Sequence, residues 1–208
     1  KLSSYEIIIG EFGKNTQIKT KDEILSDKEF KWSYSINDET EKILTKVFNK
    51  KSIPLGEIIE STSGFGGKSE LITPERKNNR QIIIIRGRSI KKYLLCDKYY
   101  FEFKKENITG RTTDKNKLGV MEKVVLRKTG YHIFATYDDS GIFPEQSVYF
   151  LFNPKKPISL KYLTGIINSQ LFQFVYWHKL VTNRDSTPQL KKVDLDKFPI
   201  IYEENNSE

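Results

Sequence analysis

Short apolar runs broken by polar turns fill most of the chain, and one longer run with helical spacing follows near the end. Residues 5–9 (YEIII) read as a strand. Residues 10–38 are polar and mixed, with Phe30, Trp32 and Tyr34 alternating as in a short strand or an aromatic anchor. Asp38 stands where a helix N-cap belongs. Glu39 and Glu41 fall in the first turn after it, and Ile43, Leu44, Val47 and Phe48 form the apolar positions. Residues 61–69 (STSGFGGKS) look like a Gly/Ser loop. Residues 82–85, four isoleucines, look like a fully buried strand. Residues 93–95 and 99–103 predict two more strands around a turn at Asp97–Lys98. Residues 123–128, 131–137 and 147–152 predict three clear strands, with Asp138, Asp139, Ser140 and Gly141 turning the chain between the last two. Beyond Pro154 and Pro157, Ser159 can cap a long helix over 160–180. Its apolar stripe is Leu160, Leu163, Ile167, Leu171, Phe174, Val175 and His178. A polar loop over 182–190 and a short closing element ending at Phe198–Pro199–Ile200 complete the pattern, and the acidic tail after Tyr202 is expected to fray. No internal repeat is visible.

The 208 residues suffice for one large domain with a hydrophobic core. The first residue is Lys1 rather than Met, which leads us to expect an excised fragment whose native start lies upstream, or else a processed form. The single cysteine, Cys96, excludes a disulfide-stapled scaffold and a multi-cysteine zinc site; beside Leu94 and Leu95 it reads as a small buried hydrophobe. No apolar stretch reaches membrane-spanning length, and a cytoplasmic setting is expected.

Charge changes the picture. The net +8 is unevenly placed. Counted from the sequence, residues 1–60 carry a net −1, 61–128 a net +10, 129–154 a net −3 and 155–208 a net +2. A basic excess held in one segment suits phosphate, because the counterions released on contact supply affinity. Its densest part is Arg86–Gly87–Arg88–Ser89–Ile90–Lys91–Lys92–Tyr93, directly after the isoleucine run. Arginine can place two hydrogen bonds on guanine or phosphate, and lysine acts as a point charge. Lys68, Arg111, Lys123, Arg127 and Lys128 extend the set. Tyr99, Tyr100 and Tyr131 are available to stack or to pack.

Other chemistry fits poorly. The loop ending Gly67–Lys68–Ser69 lacks the first glycine of a phosphate-binding loop, since Thr62 stands there. Its exposed backbone N–H groups are expected to remain available to phosphate by another route. The nuclease-like Glu-x-Lys pattern occurs as Glu29–Phe30–Lys31, Glu75–Arg76–Lys77 and Glu102–Phe103–Lys104, a frequency that chance explains in a chain this rich in both residues. His132 and His178 have no acid or serine beside them that would make a triad or metal site.

The order of these pieces resembles the TaqI-like C-terminal specificity domain, the target recognition domain of many adenine-N6 DNA methyltransferases and fused methyltransferase–endonucleases. The resemblance rests on five motifs in order. They are Pro54–Leu55–Gly56–Glu57–Ile58–Ile59, the glycine loop Ser63–Gly64–Phe65–Gly66–Gly67, and the step Arg86 to Tyr93. The strand pair 123–137 with Phe134–Ala135–Thr136–Tyr137–Asp138 comes next. Last are Gly165–Ile166–Ile167–Asn168–Ser169–Gln170–Leu171–Phe172 and the close at 195–200. The glycine loop departs from the usual form. The resemblance implies a bacterial restriction–modification setting, double-stranded DNA as partner, and an upstream methyltransferase domain that binds S-adenosylmethionine and flips an adenine. The catalytic Asn/Asp-Pro-Pro-Tyr/Phe motif is absent, and Asn153–Pro154–Lys155–Lys156 is not it.

The expected fold is α+β: a β-rich, mostly antiparallel domain with a long C-terminal helix and an N-terminal linker arm. Residues 1–50 would be the arm from an upstream catalytic domain, 51–202 the recognition domain and 203–208 a frayed tail. The expected function is sequence-specific duplex DNA binding without catalysis, through Lys68, Arg86, Arg88, Lys91, Lys92, Arg111, Lys123, Arg127 and Lys128, with no metal or cofactor in this chain. The alternatives are a scaffold that docks a catalytic subunit through Phe172, Tyr176 and Trp177, and a small Mg²⁺-dependent nuclease using Glu102 and Lys104.

Overall fold

A computed structural model describes residues 6–9, 17–20, 38–49, 52–183 and 186–202. The aromatic triplet at 30–34 and the tail at 203–208 lie outside the described residues. The chain divides into two compact units, Lys1–Asn49 and Lys50–Glu208. In the first, β1 (Glu6–Ile9) pairs antiparallel with β2 (Gln17–Thr20), and α1 (Asp38–Asn49) forms where the capping pattern predicts a helix. Leu44 of its apolar stripe is buried while Ile43 is exposed.

The second unit begins with β3 (Ile53–Pro54), the short helix α2 (Leu55–Ile58), β4 (Ile59–Ser63) and β5 (Phe65–Gly67). β6 (Ile82–Ile85), the hairpin strands β7 (Ile90–Lys91) and β8 (Leu94–Leu95), β9 (Tyr99–Phe101) and β10 (Ile108–Arg111) follow. After α3 (Lys115–Leu118) come β11 (Lys123–Arg127), β12 (Ala135–Asp138), β13 (Phe143–Pro144) and β14 (Val148–Pro154). The chain ends through α4 (Leu160–Ile167), α5 (Gln170–Val175), β15 (Val181–Thr182), β16 (Gln189–Leu190), α6 (Lys192–Asp196) and β17 (Pro199–Ile200). The fold is α+β. Among the described residues every strand pair is antiparallel except β13 with β6.

The central sheet has the order β12-β11-β14-β4. Its inner strands read as continuous apolar runs because both faces are covered. Val125 and Phe150, opposite each other in register, turn toward a core that includes Phe65, Ile84, Ile85, Ile90, Phe101, Val148 and Phe152. Val124, Leu126 and Leu151 belong to the other face of the pleat, and α4 packs on β11 and β12. Phe172 of α5 packs against Phe198, the two rings tilted by 49° with centroids 4.6 Å apart.

Residues 61–69 are not a loop. β4 runs through Ser63 and β5 begins at Phe65, with Gly64, Gly66 and Gly67 buried. A Cβ on Gly64 would lie 2.1 Å from the Pro144 carbonyl oxygen, so glycine is required where two stretches of backbone touch. The N–H groups offered to phosphate are engaged inside the protein. Gly64 N–H bonds the Val148 carbonyl, Lys68 N–H bonds the Asn107 carbonyl, and β5 pairs with β10.

The long helix predicted over 160–180 is also broken. α4 stops at Ile167, α5 starts at Gln170, and residues 176–180 form a wider π-type turn. Two side chains cause the break. The Asn168 amide accepts from the Ala135 N–H at 3.0 Å and donates to the Ala135 carbonyl at 2.8 Å. Ser169 takes an extended conformation and caps α5 by accepting from the Phe172 N–H. Gln173 repeats the amide pairing on Ile133, at 2.9 and 2.7 Å. Together Asn168 and Gln173 satisfy the outward backbone groups of Ala135, the first residue of β12, and of Ile133 just before it. The interruption shifts the helical phase, so Phe172 and Tyr176 are buried while Leu171 is exposed. Replacing Asn168 with Leu should lower stability by about 1–3 kcal/mol, because the buried Ala135 N–H loses its side-chain acceptor. A lower urea midpoint at unchanged slope would register this loss.

Cys96 is exposed rather than buried. Its N–H is tied to the Ser89 carbonyl just past β8, which turns the thiol outward. Among the 82–85 isoleucines only Ile84 and Ile85 are fully buried, and Ile83 is exposed.

Candidate nucleic-acid interface

The basic step after β6 is held by its neighbours. Ile84 and Ile85 anchor the strand in the core, and the chain then turns through a 3-10 segment over Gly87–Ser89. The Arg86 N–H donates to Ser89 Oγ at 3.1 Å, and the Ser89 N–H donates to the Arg86 carbonyl at 2.9 Å. Gly87 N–H reaches Ser147 Oγ at 2.8 Å, and a Cβ on Gly87 would lie 3.0 Å from the Ser147 carbonyl oxygen. The opposing turn, Glu145–Gln146–Ser147, is built around a buried acid. Glu145 Oε2 accepts from the Ser147 N–H at 3.0 Å and from Ser147 Oγ at 2.6 Å. The Glu145 side chain is 3% exposed, and Arg86 Nε lies 3.9 Å from Oε2. The Tyr99 ring lies beneath both guanidiniums, with Arg88 Cζ 4.7 Å and Arg86 Cζ 6.0 Å from its centroid.

From this base the hairpin of β7 and β8 projects. Lys91, Lys92, Tyr93 and Leu94 are all exposed. Tyr93 takes φ 65°, a left-handed turn conformation, and its N–H bonds the Ala135 carbonyl at 3.0 Å. Lys92 Nζ lies 5.7 Å from the Tyr93 ring. Arg88, Lys91 and Lys92 therefore present free-standing positive charge beside an exposed aromatic tip, on a rigidly mounted element.

The other expected contacts are dispersed. Arg111 is exposed at φ 65° at the end of β10, and its charge acts on Lys128. Lys128 is buried. Its ammonium donates to Ser63 Oγ and the Gln146 carbonyl and sits 4.3 Å over the Tyr149 ring. Glu145 also acts on Lys128, so this second locus meets the first around one acid. Lys68 is exposed near Glu106. Arg127 is half-buried, with Nε on the Thr129 carbonyl at 2.6 Å. Lys123 is not at the surface: it is 0% exposed, with Nζ 2.9 Å from Asp138 Oδ2 and 2.6 Å from the Val120 carbonyl. Burial there outweighs Asp138 and pushes the Lys123 ammonium pKa down.

Burial also lowers Lys128, from 10.5 to about 8, and Arg111 adds to the effect while Glu145 opposes it. The unfolded chain therefore holds more protons between about pH 8 and 10.5, and this lysine's contribution to stability rises with pH through that window. Urea melts at pH 7.5 and 9.5 check the sign: the wild type should gain on Lys128→Met between the two values.

Sequence reasoning missed Glu145 and its link to Arg86, because nothing local marks an acid whose partner lies far back in the chain. It also passed over Arg76, Lys77 and Arg80, all exposed in the basic segment; Arg76 lies 5.6 Å from the Tyr100 ring, and Arg80 is 3.9 Å from Glu102. Glu102 and Lys104 lie past the end of β9, 3.7 Å apart, with Lys104 also 3.4 Å from Glu106. Among the described residues no group of three or more His, Cys, Asp or Glu is placed to hold a metal ion. Phe172 and Tyr176, two of the three docking residues, lie in the chain's own core. A separate cleft of about 710 Å³ lies between Val120–Glu122 and the start of α4, and none of the expected contact residues lines it. No helix among the described residues is long and apolar enough to cross a membrane.

The TaqI-like C-terminal specificity domain family matches residues 82–200, and the chain belongs to that family. Among solved structures, the S subunit of a type I restriction–modification system from M. genitalium is similar at 18% identity and a TM-score of 0.43, over 73% of this chain and 34% of that one. The chain thus spans about a third of that protein's length. No curated protein matches.

Proposed function

We propose that this chain is the DNA target recognition domain of a restriction–modification enzyme. It binds duplex DNA sequence-specifically and leaves catalysis to another domain. The observation that carries this reading is the exposed Arg88–Lys91–Lys92 hairpin mounted beside Arg86 on the buried Glu145 turn, in a chain of the specificity-domain family. Arg88, Lys91, Lys92 and Arg111 hold phosphates and set the domain's register on the duplex; phosphate and sugar take the larger share of contacts in such interfaces. Residues 51–202 form the reading domain, and 1–50 lead from an upstream adenine methyltransferase domain, with or without a fused endonuclease. S-adenosylmethionine belongs to that upstream domain.

Binding of the chain to a randomised duplex library, followed by fluorescence anisotropy between 50 and 200 mM salt, tests the proposal. Log affinity should fall linearly with log salt, by about 0.9 for each phosphate engaged. Affinity indifferent to salt would refute it.

A further inference from the structure

The two arginines of the turn sit in different environments, and the difference separates their roles. Arg88 is exposed, lies over the Tyr99 ring at 4.7 Å and forms no ion pair with an acid among the described residues. Arg86 is half-buried and held from behind. Its Nε faces the Glu145 carboxylate at 3.9 Å, its guanidinium lies toward the rim of the same Tyr99 ring, and its backbone is locked by the Ser89 hydroxyl. The acid approaches the guanidinium at Nε, at ion-pair rather than hydrogen-bond distance. A guanidinium fixed in this way loses little freedom on making two parallel hydrogen bonds, and base readout requires such fixed geometry.

We infer that Arg86 reads a guanine edge in the major groove, and that Glu145 is the positioning residue that aims its fork. This rests on the proposed DNA-reading function and adds to it which side chain supplies sequence information. The fork of arginine matches the O6 and N7 acceptors of guanine, a pairing that lysine cannot reproduce at the same charge. Glu145 is itself fixed by the Ser147 N–H and hydroxyl, and Ser147 also accepts from Gly87 N–H, so reader and support form one hydrogen-bonded unit. Arg88, without such support, serves phosphate.

The test is selection from a randomised duplex library by the full chain, run in parallel for wild type, R86K, R86A, E145Q and E145D, with thermal melts of each. The wild type should enrich a motif containing at least one G·C position. R86K should lose discrimination at one such position by about 5- to 150-fold, the range of a bidentate base contact, while the other positions and the salt slope stay unchanged. E145Q should weaken the same position. E145D, which keeps the charge at a shorter reach, should weaken it less, and it decides the matter if E145Q fails to fold. A wild type that enriches no sequence would sink the underlying DNA-reading function. A wild type that selects a motif which R86K leaves intact would overturn this inference alone. So would an R86A variant that merely flattens the salt slope by about one unit, or Glu145 variants that weaken every position equally.

Discussion

Lys123→Met should destabilise the protein by about 3–5 kcal/mol, the cost of leaving one member of a buried ion pair alone. Lys123 and Asp138 face each other across β11 and β12, both side chains almost wholly buried, with Nζ and Oδ2 2.9 Å apart. Without the ammonium, the Asp138 carboxylate stays in the interior with only Ser140, whose N–H and hydroxyl bond its other oxygen at 3.1 and 2.5 Å. Asp138→Leu should cost a similar amount, leaving the ammonium on the Val120 carbonyl alone. The double variant K123M/D138L should return to within about 1–2 kcal/mol of the wild type, since an apolar pair of similar size removes both desolvation penalties, while Ser140 loses an acceptor and the Val120 carbonyl a donor. Urea melts of the four proteins form the cycle. Additive losses would show that the two groups do not act as a pair. At temperatures where K123M is folded, its salt slope with duplex DNA should match the wild type, because this cation is interior.

The second large effect concerns binding. Changing Arg86, Arg88, Lys91 and Lys92 together to alanine should abolish measurable duplex binding near physiological salt, and should flatten the slope of log affinity against log salt by up to about 3.6 if each contacts phosphate. If Arg86 reads a base, the slope should instead flatten by about 2.7, with specificity lost as well. Stability should change little for Arg88, Lys91 and Lys92, which are exposed; Arg88 lies over Tyr99 and Lys92 over Tyr93. The Arg86 change carries more structural cost, because it leaves the buried Glu145 carboxylate with Lys128 as its remaining cation. Comparing R88A/K91A/K92A with the fourfold variant therefore separates lost charge from lost support.

Much of the sheet was legible in the sequence. The runs at 123–127 and 148–152 are too apolar for a half-exposed strand, and the structure covers both of their faces. The α+β class and the helix at α1 followed from the same periodicity. The misreadings share a cause: contacts distant in the chain decided between local alternatives. Three glycines in four positions suit a loop or a crowded strand equally, and the choice was made by the backbone at Pro144 and Glu145 pressing on Gly64. Asn168 and Ser169 fit the helical spacing, yet the Asn168 amide is drawn to Ala135, 33 residues away, and the helix breaks there. Lys123 counted as basic surface until its cross-strand partner removed it. The Arg86–Tyr93 step was visible as charge density, but the acid that orients Arg86 carries no local signature.

Hydrogen exchange of the chain with and without a selected duplex tests the account most directly. DNA should bring new protection over 86–95 and near Arg111, with little change over 160–175, where α4 packs on the sheet. Protection confined to α4 and α5, with the Arg86–Leu95 hairpin unchanged by DNA, would contradict it.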